Sequence, residues 1–217
     1  MTITAAADGS ALGNPGPAGW AWYVDDSCWA AGGWPESTNN RGELTAVLEL
    51  LRATACSGQG EELLIQCDSQ YVINSLTKWR HGWKRRGWRK ADGRPVLNDD
   101  LMRELDAALT GRAVRFEWVR GHVGHPMNEA ADSRARAAAT AYQQGRAVPA
   151  GPGWTRGPSG TGGQGVAPSA PGAGTIGAAS SAGSAGADAG QAGVAEVVPG
   201  ATAARRARLR QEGGTLF

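Results

Sequence analysis

Cysteine and long apolar runs are both scarce in this chain of 217 residues. Its only cysteines, Cys28, Cys56 and Cys67, show no CxxC spacing, so neither a disulfide framework nor a zinc knuckle is indicated. We expect all three to be reduced and mostly buried. No run approaches the roughly 18 apolar residues that a membrane-spanning helix needs, and the first ten residues lack the pattern of a signal peptide. The sequence therefore predicts a cytoplasmic protein without membrane contact.

A strong net charge is also missing, because 22 Lys and Arg against 20 Asp and Glu leave a formal charge of only +2. A global polycation is therefore excluded, and charge must be read locally. The segment 78–94, called the basic segment below, holds eight basic residues against the single acid Asp92, with Trp79, Trp83 and Trp88 among them. Aromatic faces and cationic heads together favour nucleic-acid contact. A core helix with a solvated charged face is an equally good reading of this pattern alone.

Large side chains almost disappear after Pro149. Of the 68 residues from 150 to 217, 17 are Gly, 16 Ala, 5 Pro and 5 Ser. Such a segment buries too little apolar area to offset about 1–2 kcal/mol of backbone ordering entropy per residue. The composition predicts a folded domain over residues 1–149 and a flexible, disordered tail over residues 150–217.

Hydrophobic periodicity predicts a mixed sheet packed by helices, an α/β fold. The predicted strands cover residues 2–11, 18–25, 28–33, 62–67 and 113–119. The predicted helices cover residues 41–56, part of the basic segment, a stretch that begins after Asn98, and residues 127–143. The resulting order is β-β-β-α-β-α-α-β-α.

Four acids stand where strands or helices could direct them to one point. Asp8 lies in the first strand, Glu43 at the start of a helix, Asp68 at a strand end and Asp132 in the last helix. Carboxylates that converge in one pocket repel each other unless a divalent cation neutralises them, and oxygen ligands favour magnesium or manganese. Two such ions suit in-line hydrolysis of a phosphodiester. Spacing alone carries little information, because residues 1–149 contain 17 acids.

The motifs around these acids are more specific. In chain order they are ADGS with GNPGPAG, TNNRGEL, CDSQY and WVRGHVGHPMNEAAD, and each contains one of the four acids. In these motifs the chain resembles bacterial ribonuclease H type 1, the family that cuts the RNA strand of RNA–DNA hybrids. The resemblance covers about residues 1–145. It implies the ribonuclease H-like fold, a five-stranded mixed sheet with helices on both faces, and an endoribonuclease that leaves 5′-phosphate and 3′-hydroxyl ends.

The resemblance also implies roles for the acids. Asp8 would bridge two Mg²⁺ ions, for which Mn²⁺ is a substitute, while Glu43 and Asp68 would hold one ion and Asp132 the other. His122 lies in a loop between two glycines and would act as a proton shuttle.

The implied substrate contacts lie on the loops, the helix starts and the basic segment. They are Asn14, Thr38, Asn39, Asn40, Gln70, Trp79, Trp83, Lys84, Arg85, Arg86, Trp88 and Asn128. Asn14 is also a turn former, and Asn39 and Asn40 are also helix caps, so both roles stay open. Gly42 departs from the bulkier residue usual in the family and is expected to loosen the helix start.

An RNA–DNA hybrid is the implied partner, and the chain is expected to act as a monomer. The terminal Leu216-Phe217 look like a sliding-clamp peptide without the usual spacing from Gln211, and an inert end is the alternative. Two rival functions remain: another nuclease on the same fold, and a non-catalytic hybrid-binding module. The TNN and GHVGHP motifs disfavour the first rival. The four retained acids disfavour the second, because a pure binder would gain affinity by losing them.

Overall fold

A computed structural model describes residues 2–55, 61–121 and 123–156 of the chain. These residues form five strands and five α-helices, with one π-helical turn at Ser75–Trp79. The strands are β1 (Thr2–Ala11), β2 (Gly16–Asp25), β3 (Cys28–Ser37), β4 (Glu62–Cys67) and β5 (Val114–Trp118). The helices are α1 (Asn39–Ala53), α2 (Gln70–Asn74), α3 (Arg80–Arg85), α4 (Asp99–Leu109) and α5 (Pro126–Gln143).

The strands form one mixed sheet in the order β3-β2-β1-β4-β5. The first three strands are an antiparallel meander, whereas β4 runs parallel to both of its neighbours. The parallel register pairs Ala6 with Gln66, so each residue of β1 lies beside the residue 60 positions later. This parallel pairing ends at Ala6 and Gln66, two residues before Asp8 in β1 and Asp68 after β4. Both acids therefore lie just beyond the stretch in which the two strands pair.

Helices cover both faces of the sheet because β2 alternates large and small side chains. Trp22 is 1 % exposed and belongs to the main core, together with the buried leucines of α1. On the opposite face the contacts are made by alanines of β2, β3 and α5, namely Ala21, Ala31, Ala135 and Ala138. Small side chains on both sides allow α5 to lie close to the strands.

Residues 150–156, called the strap below, pack along the edge strand β3. The Ala150 carbonyl accepts a 3.0 Å hydrogen bond from the Ala31 N–H, and the Trp154 ring lies 6.3 Å from the Trp22 ring. Two more bonds join Gly153 N to Trp29 O at 3.0 Å and Thr155 Oγ1 to Ser27 O at 2.9 Å. The prediction of a disordered tail is wrong for these seven residues. Trp154 provides burial and the free edge of β3 provides hydrogen bonds, and neither is visible in the average composition of the tail. The remaining tail, 157–217, lies outside the described residues.

The predicted fold is confirmed, with small shifts of the element ends. The first helix begins two residues earlier than expected, at Asn39, and the third strand extends to Ser37. Cys28 and Cys67 are buried and free, as expected, and Cys56 lies outside the described residues. Among the described residues, no helix combines the length and the apolar composition needed to cross a bilayer.

Candidate active site

Three carboxylates meet at the carboxyl-terminal edge of the central strands. Asp8 lies in β1, Asp68 directly follows β4, and Glu43 lies in the second turn of α1. One oxygen atom from each side chain lies within 4.8 Å of the other two. The structure therefore brings three of the four predicted acids into one group.

Close contact between α1 and the sheet places Glu43 in this group. A Cβ atom on Gly42 would lie 2.7 Å from the Gly19 carbonyl oxygen and 3.2 Å from Gly9 Cα, so no side chain fits there. Gly42 is buried in this contact. Its missing side chain allows α1 to sit directly on β1 and β2, and the expectation that it loosens the helix start stays a prediction.

Burial and mutual repulsion make this group costly to ionise. Burial, together with the negative charges of Asp68, Asp132 and Glu43, raises the pKa of Asp8 from 3.8 to about 8, against a hydrogen bond from the Gly9 N–H that lowers it. Burial likewise raises the pKa of Glu43 to about 7, although hydrogen bonds from Ser69 and Asn39 oppose the shift. The geometry therefore concentrates negative charge that a bound cation would stabilise.

Glu43 is held from one side only. Asn39 Nδ2 donates a 2.8 Å hydrogen bond to Glu43 Oε1, and the Ser69 side chain, like that of Asn39, lowers the pKa of the carboxylate. The other oxygen, Oε2, is buried without any hydrogen-bond partner among the described residues. The sequence prediction missed Ser69, although it belongs to the CDSQY motif.

Asp68 is held firmly through its backbone and only weakly through its side chain. The half-exposed indole of Trp118 donates a 2.9 Å hydrogen bond from Nε1 to the Asp68 carbonyl oxygen. Asn128 Nδ2 lies 3.5 Å from Asp68 Oδ2, and Asn128 itself is 1 % exposed. Asn128 thus faces the carboxylate group, whereas its prediction as a substrate contact is not supported by any exposed surface.

The other two predicted catalytic residues are Asp132 and His122. Asp132 lies half-buried on α5, one turn after Asn128, and its charge contributes to the raised pKa of Asp8. Its oxygens do not join the group of three that lies within 4.8 Å. His122 lies outside the described residues. Glu129 Oε1 accepts a 2.7 Å bond from the Gly124 N–H, which ties the preceding loop to the first turn of α5.

The predicted groove contacts lie beside Glu43. Thr38 is the N-cap of α1, and its hydroxyl accepts a hydrogen bond from the Arg41 N–H at 3.3 Å. Asn14 Oδ1 accepts a 3.3 Å bond from the Asn39 N–H, which joins the β1–β2 turn to the helix start. Asn40, like Asn14 and Gln70, is exposed.

The basic segment does not present all three tryptophans. Trp79 is 42 % exposed, but Trp83 and Trp88 are only 9 % and 7 % exposed, so their faces contact the protein core. Trp83 and Trp88 therefore offer little surface to a substrate, and contact by the exposed Trp79 stays a prediction. Helical spacing shows which residues share a face, but it does not show which face is turned inward.

A buried carboxylate anchors this segment to α4. Asp106, at 6 % exposed, accepts hydrogen bonds from Arg80 Nη1 at 2.8 Å and from Lys84 Nζ at 2.6 Å. Lys84, a predicted substrate contact, is thus engaged in an ion pair, although 58 % of its side chain stays exposed. Arg85 and Arg86 are exposed, and Arg86 Nε donates to the Arg89 carbonyl.

The donor set fits a hard divalent cation. Asp8, Glu43 and Asp68 offer only oxygen ligands, and within the described part of the chain Glu43 Oε2 has no hydrogen-bond partner that a cation would displace. A cation would also remove the repulsion that raises the pKa of Asp8.

Comparison with known proteins identifies the family. The family model described as RNase H matches residues 1–140. A ribonuclease H of Tropheryma whipplei is 57 % identical over 153 residues, which span 70 % of this chain and 94 % of the relative. A ribonuclease H of Escherichia coli is 47 % identical over 135 residues, which span 61 % and 85 %.

A solved structure agrees with these relatives. The crystal structure of a type 1 RNase H with the type 2 active-site motif is similar to this chain with a TM-score of 0.55 and 32 % identity. The match covers 70 % of this chain and 77 % of that protein. It extends the agreement from sequence to the arrangement of strands and helices. Together with the carboxylate group at the sheet edge, these matches show that the chain belongs to the ribonuclease H family of enzymes.

Proposed function

We propose that this chain hydrolyses the RNA strand of RNA–DNA hybrids and depends on divalent metal, with Mg²⁺ as the working ion and Mn²⁺ as a substitute. The observation that carries the proposal is the meeting of Asp8, Glu43 and Asp68 within 4.8 Å at one sheet edge. The family to which the chain belongs supports the reaction type.

In this proposal the four acids would hold two ions: Asp8 would serve both, Glu43 and Asp68 would hold one, and Asp132 the other. Such ions would supply charge stabilisation for the attacking and leaving oxygens of an in-line displacement, and the expected products carry 5′-phosphate and 3′-hydroxyl ends. Asn39 orients Glu43 through its hydrogen bond to Oε1. His122 moves a proton, a role that rests on its place in the sequence alone.

Substrate binding is assigned to two regions: the polar residues of the loops and helix starts, and the basic segment. Asn14, Thr38, Asn39, Asn40 and Gln70 would reach the minor groove or a phosphate, because short polar side chains suit 2′-hydroxyl and phosphate contacts. The exposed cations of the basic segment and the face of Trp79 would contact the DNA strand. Affinity should then fall as salt rises.

The remaining cellular predictions rest on the sequence. They are the cytoplasmic location, the monomeric state, the removal of R-loops and primers, and the sliding clamp as a partner of Leu216-Phe217, which lie outside the described residues.

The test compares three end-labelled substrates of one sequence: an RNA–DNA hybrid, duplex RNA and duplex DNA. With Mg²⁺, the RNA of the hybrid alone should be cut, and EDTA should stop the reaction. The Asp68→Asn variant should bind the hybrid as tightly as the wild type or more tightly without cutting it. Tight hybrid binding without cutting by the wild type would favour the binding module, and cutting of duplex DNA would favour another nuclease on this fold.

A further inference from the structure

The backbone that follows β5 lies against the side chain of Asp68. The Val119 N–H donates a 3.1 Å hydrogen bond to the Cys67 carbonyl, and the Trp118 indole donates to the Asp68 carbonyl at 2.9 Å. These two bonds fix the chain after β5 to Cys67, the last residue of β4, and to Asp68, which follows it. The backbone that follows, at Gly121, is therefore held against Asp68.

Asp68 leaves no room for a side chain at position 121. A Cβ atom built there would lie 3.1 Å from Asp68 Cγ and 3.3 Å from Asp68 Cβ, and it would overlap Asp68 Oδ2. Gly121 does not have the positive φ that favours glycine. Backbone conformation therefore gives no reason for a glycine at this position, whereas contact with the carboxylate does.

A side chain at position 121 would displace the carboxylate rather than the backbone. A retreat of the backbone would break the bonds made by Trp118 and Val119, whereas Asp68 Oδ2 is the free end of a side chain. Its only hydrogen-bonding neighbour among the described side chains, Asn128 Nδ2, is 3.5 Å away and holds it weakly. A rotation would turn Oδ2 away from its present position in the group with Asp8 and Glu43.

We propose that Gly121 is a positioning residue: its missing side chain allows the Asp68 carboxylate to point at Asp8 and Glu43, and this sets the metal affinity of the site. This inference rests on the proposed metal-dependent function. It assigns Gly121 a role separate from that of its neighbour His122, because it acts through Asp68 and not through proton transfer.

Calorimetric titration of the full chain with Mn²⁺, in the absence of substrate, tests this role. Gly121→Ala should weaken Mn²⁺ binding by about 10- to 100-fold, the usual loss when a residue that orients a ligand is changed. Val123→Ala, a change at a 57 % exposed position in the same loop, should bind Mn²⁺ as the wild type does. Hybrid affinity of Gly121→Ala in EDTA and its thermal midpoint without metal should stay close to wild type.

Activity measured against metal concentration gives a second readout. For Gly121→Ala the Mg²⁺ concentration at half-maximal rate should rise and excess Mg²⁺ should restore part of the rate. For His122→Ala the rate should fall without a shift in that concentration.

The outcomes separate the inference from the function on which it rests. If the wild type shows no Mn²⁺ binding, or binding that is unchanged in Asp8→Asn, the proposed metal site itself is wrong. If the wild type does bind and Gly121→Ala binds equally well, only the role of Gly121 is refuted. Equal weakening of Mn²⁺ binding in Val123→Ala would refute the role of Gly121, because the effect would then not be specific to that position. Unfolding of Gly121→Ala would also refute it, because rotation of the Asp68 carboxylate is expected to relieve the clash.

Discussion

Asn39 and Glu43, one helical turn apart on α1, are joined by a 2.8 Å hydrogen bond from Asn39 Nδ2 to Glu43 Oε1. The backbone N–H of the same asparagine donates to Asn14 Oδ1 at 3.3 Å. A residue on the proposed groove-binding surface therefore also holds a proposed metal ligand. In the proposed function, substrate contact and metal coordination would thus be coupled through one side chain.

The first prediction follows from this coupling. Asn39→Ala should lower kcat about tenfold, because a hydrogen bond to a charged group contributes roughly 1.5 kcal/mol. The neighbouring Asn40→Ala should raise KM and leave kcat nearly unchanged, since Asn40 is exposed. Steady-state kinetics on a defined hybrid separates the two effects. An equal loss of kcat in both variants would refute the coupling.

The second prediction concerns the anchor of the basic segment. Burial alone would raise the pKa of Asp106, but Lys84 and Arg80 reverse this and hold it below its usual value. A lowered folded-state pKa contributes stability above the unfolded pKa of about 3.9, and this stability is lost as the pH falls through the folded pKa.

Asp106→Asn should therefore cost about 2 kcal/mol at pH 7, less than a fully buried pair because Lys84 is half-exposed, and the cost should shrink below about pH 4. Urea unfolding at both pH values measures it. The exposed Asp92→Asn, in the same segment, is the control and should leave the urea midpoint nearly unchanged. A cost for Asp106→Asn that does not change with pH would contradict the ion-pair account.

The third prediction concerns the strap. Truncation after Pro149 should lower stability by about 2 kcal/mol, because it removes the Trp154 packing on Trp22 and opens the β3 edge. Truncation after Arg156 keeps the strap and should leave stability close to that of the full chain. Thermal unfolding of the two truncated chains decides this, and equal midpoints would show that the strap adds nothing.

The fourth prediction concerns repulsion within the carboxylate group. Asp8→Asn should raise the thermal midpoint of the metal-free chain by about 2–4 °C, the shift that roughly 1 kcal/mol gives in a domain of this size. Burial and the neighbouring charges raise the pKa of Asp8 to about 8, so folding must either protonate this carboxylate or bury its charge, and asparagine avoids that cost. Saturating Mg²⁺ should stabilise the wild type and not the variant, because binding to the folded state alone shifts unfolding. Destabilisation of metal-free Asp8→Asn would contradict the repulsion account.

The sheet and the carboxylate group were predictable because their signals are local. Alternation marks the strands, and each acid lies within a short motif, so Asp8, Glu43 and Asp68 could be selected before any geometry was known. Some observed ends of the elements differ by a few residues from the predicted ones because capping determines them. Thr38, for example, caps α1, which therefore begins at Asn39.

The supporting contacts were not predictable because they depend on tertiary approach. Nothing in the sequence shows that Gly121 lies against Asp68, or that Gly42 lies against the Gly19 carbonyl. Composition averaged over the tail hid the single anchor Trp154. Helical spacing grouped Trp79 with Trp83 without showing which ring is buried.

The central claim is that the converging carboxylates are the catalytic centre, and cleavage of the RNA strand by Asp8→Asn at saturating hybrid and Mg²⁺ tests it most directly. The variant should lose at least about 10³-fold in kcat, roughly 4 kcal/mol of transition-state stabilisation. Glu49→Gln, on the same helix as Glu43 but outside the group, should keep the wild-type rate. A folded Asp8→Asn that cuts within tenfold of the wild type would contradict the account.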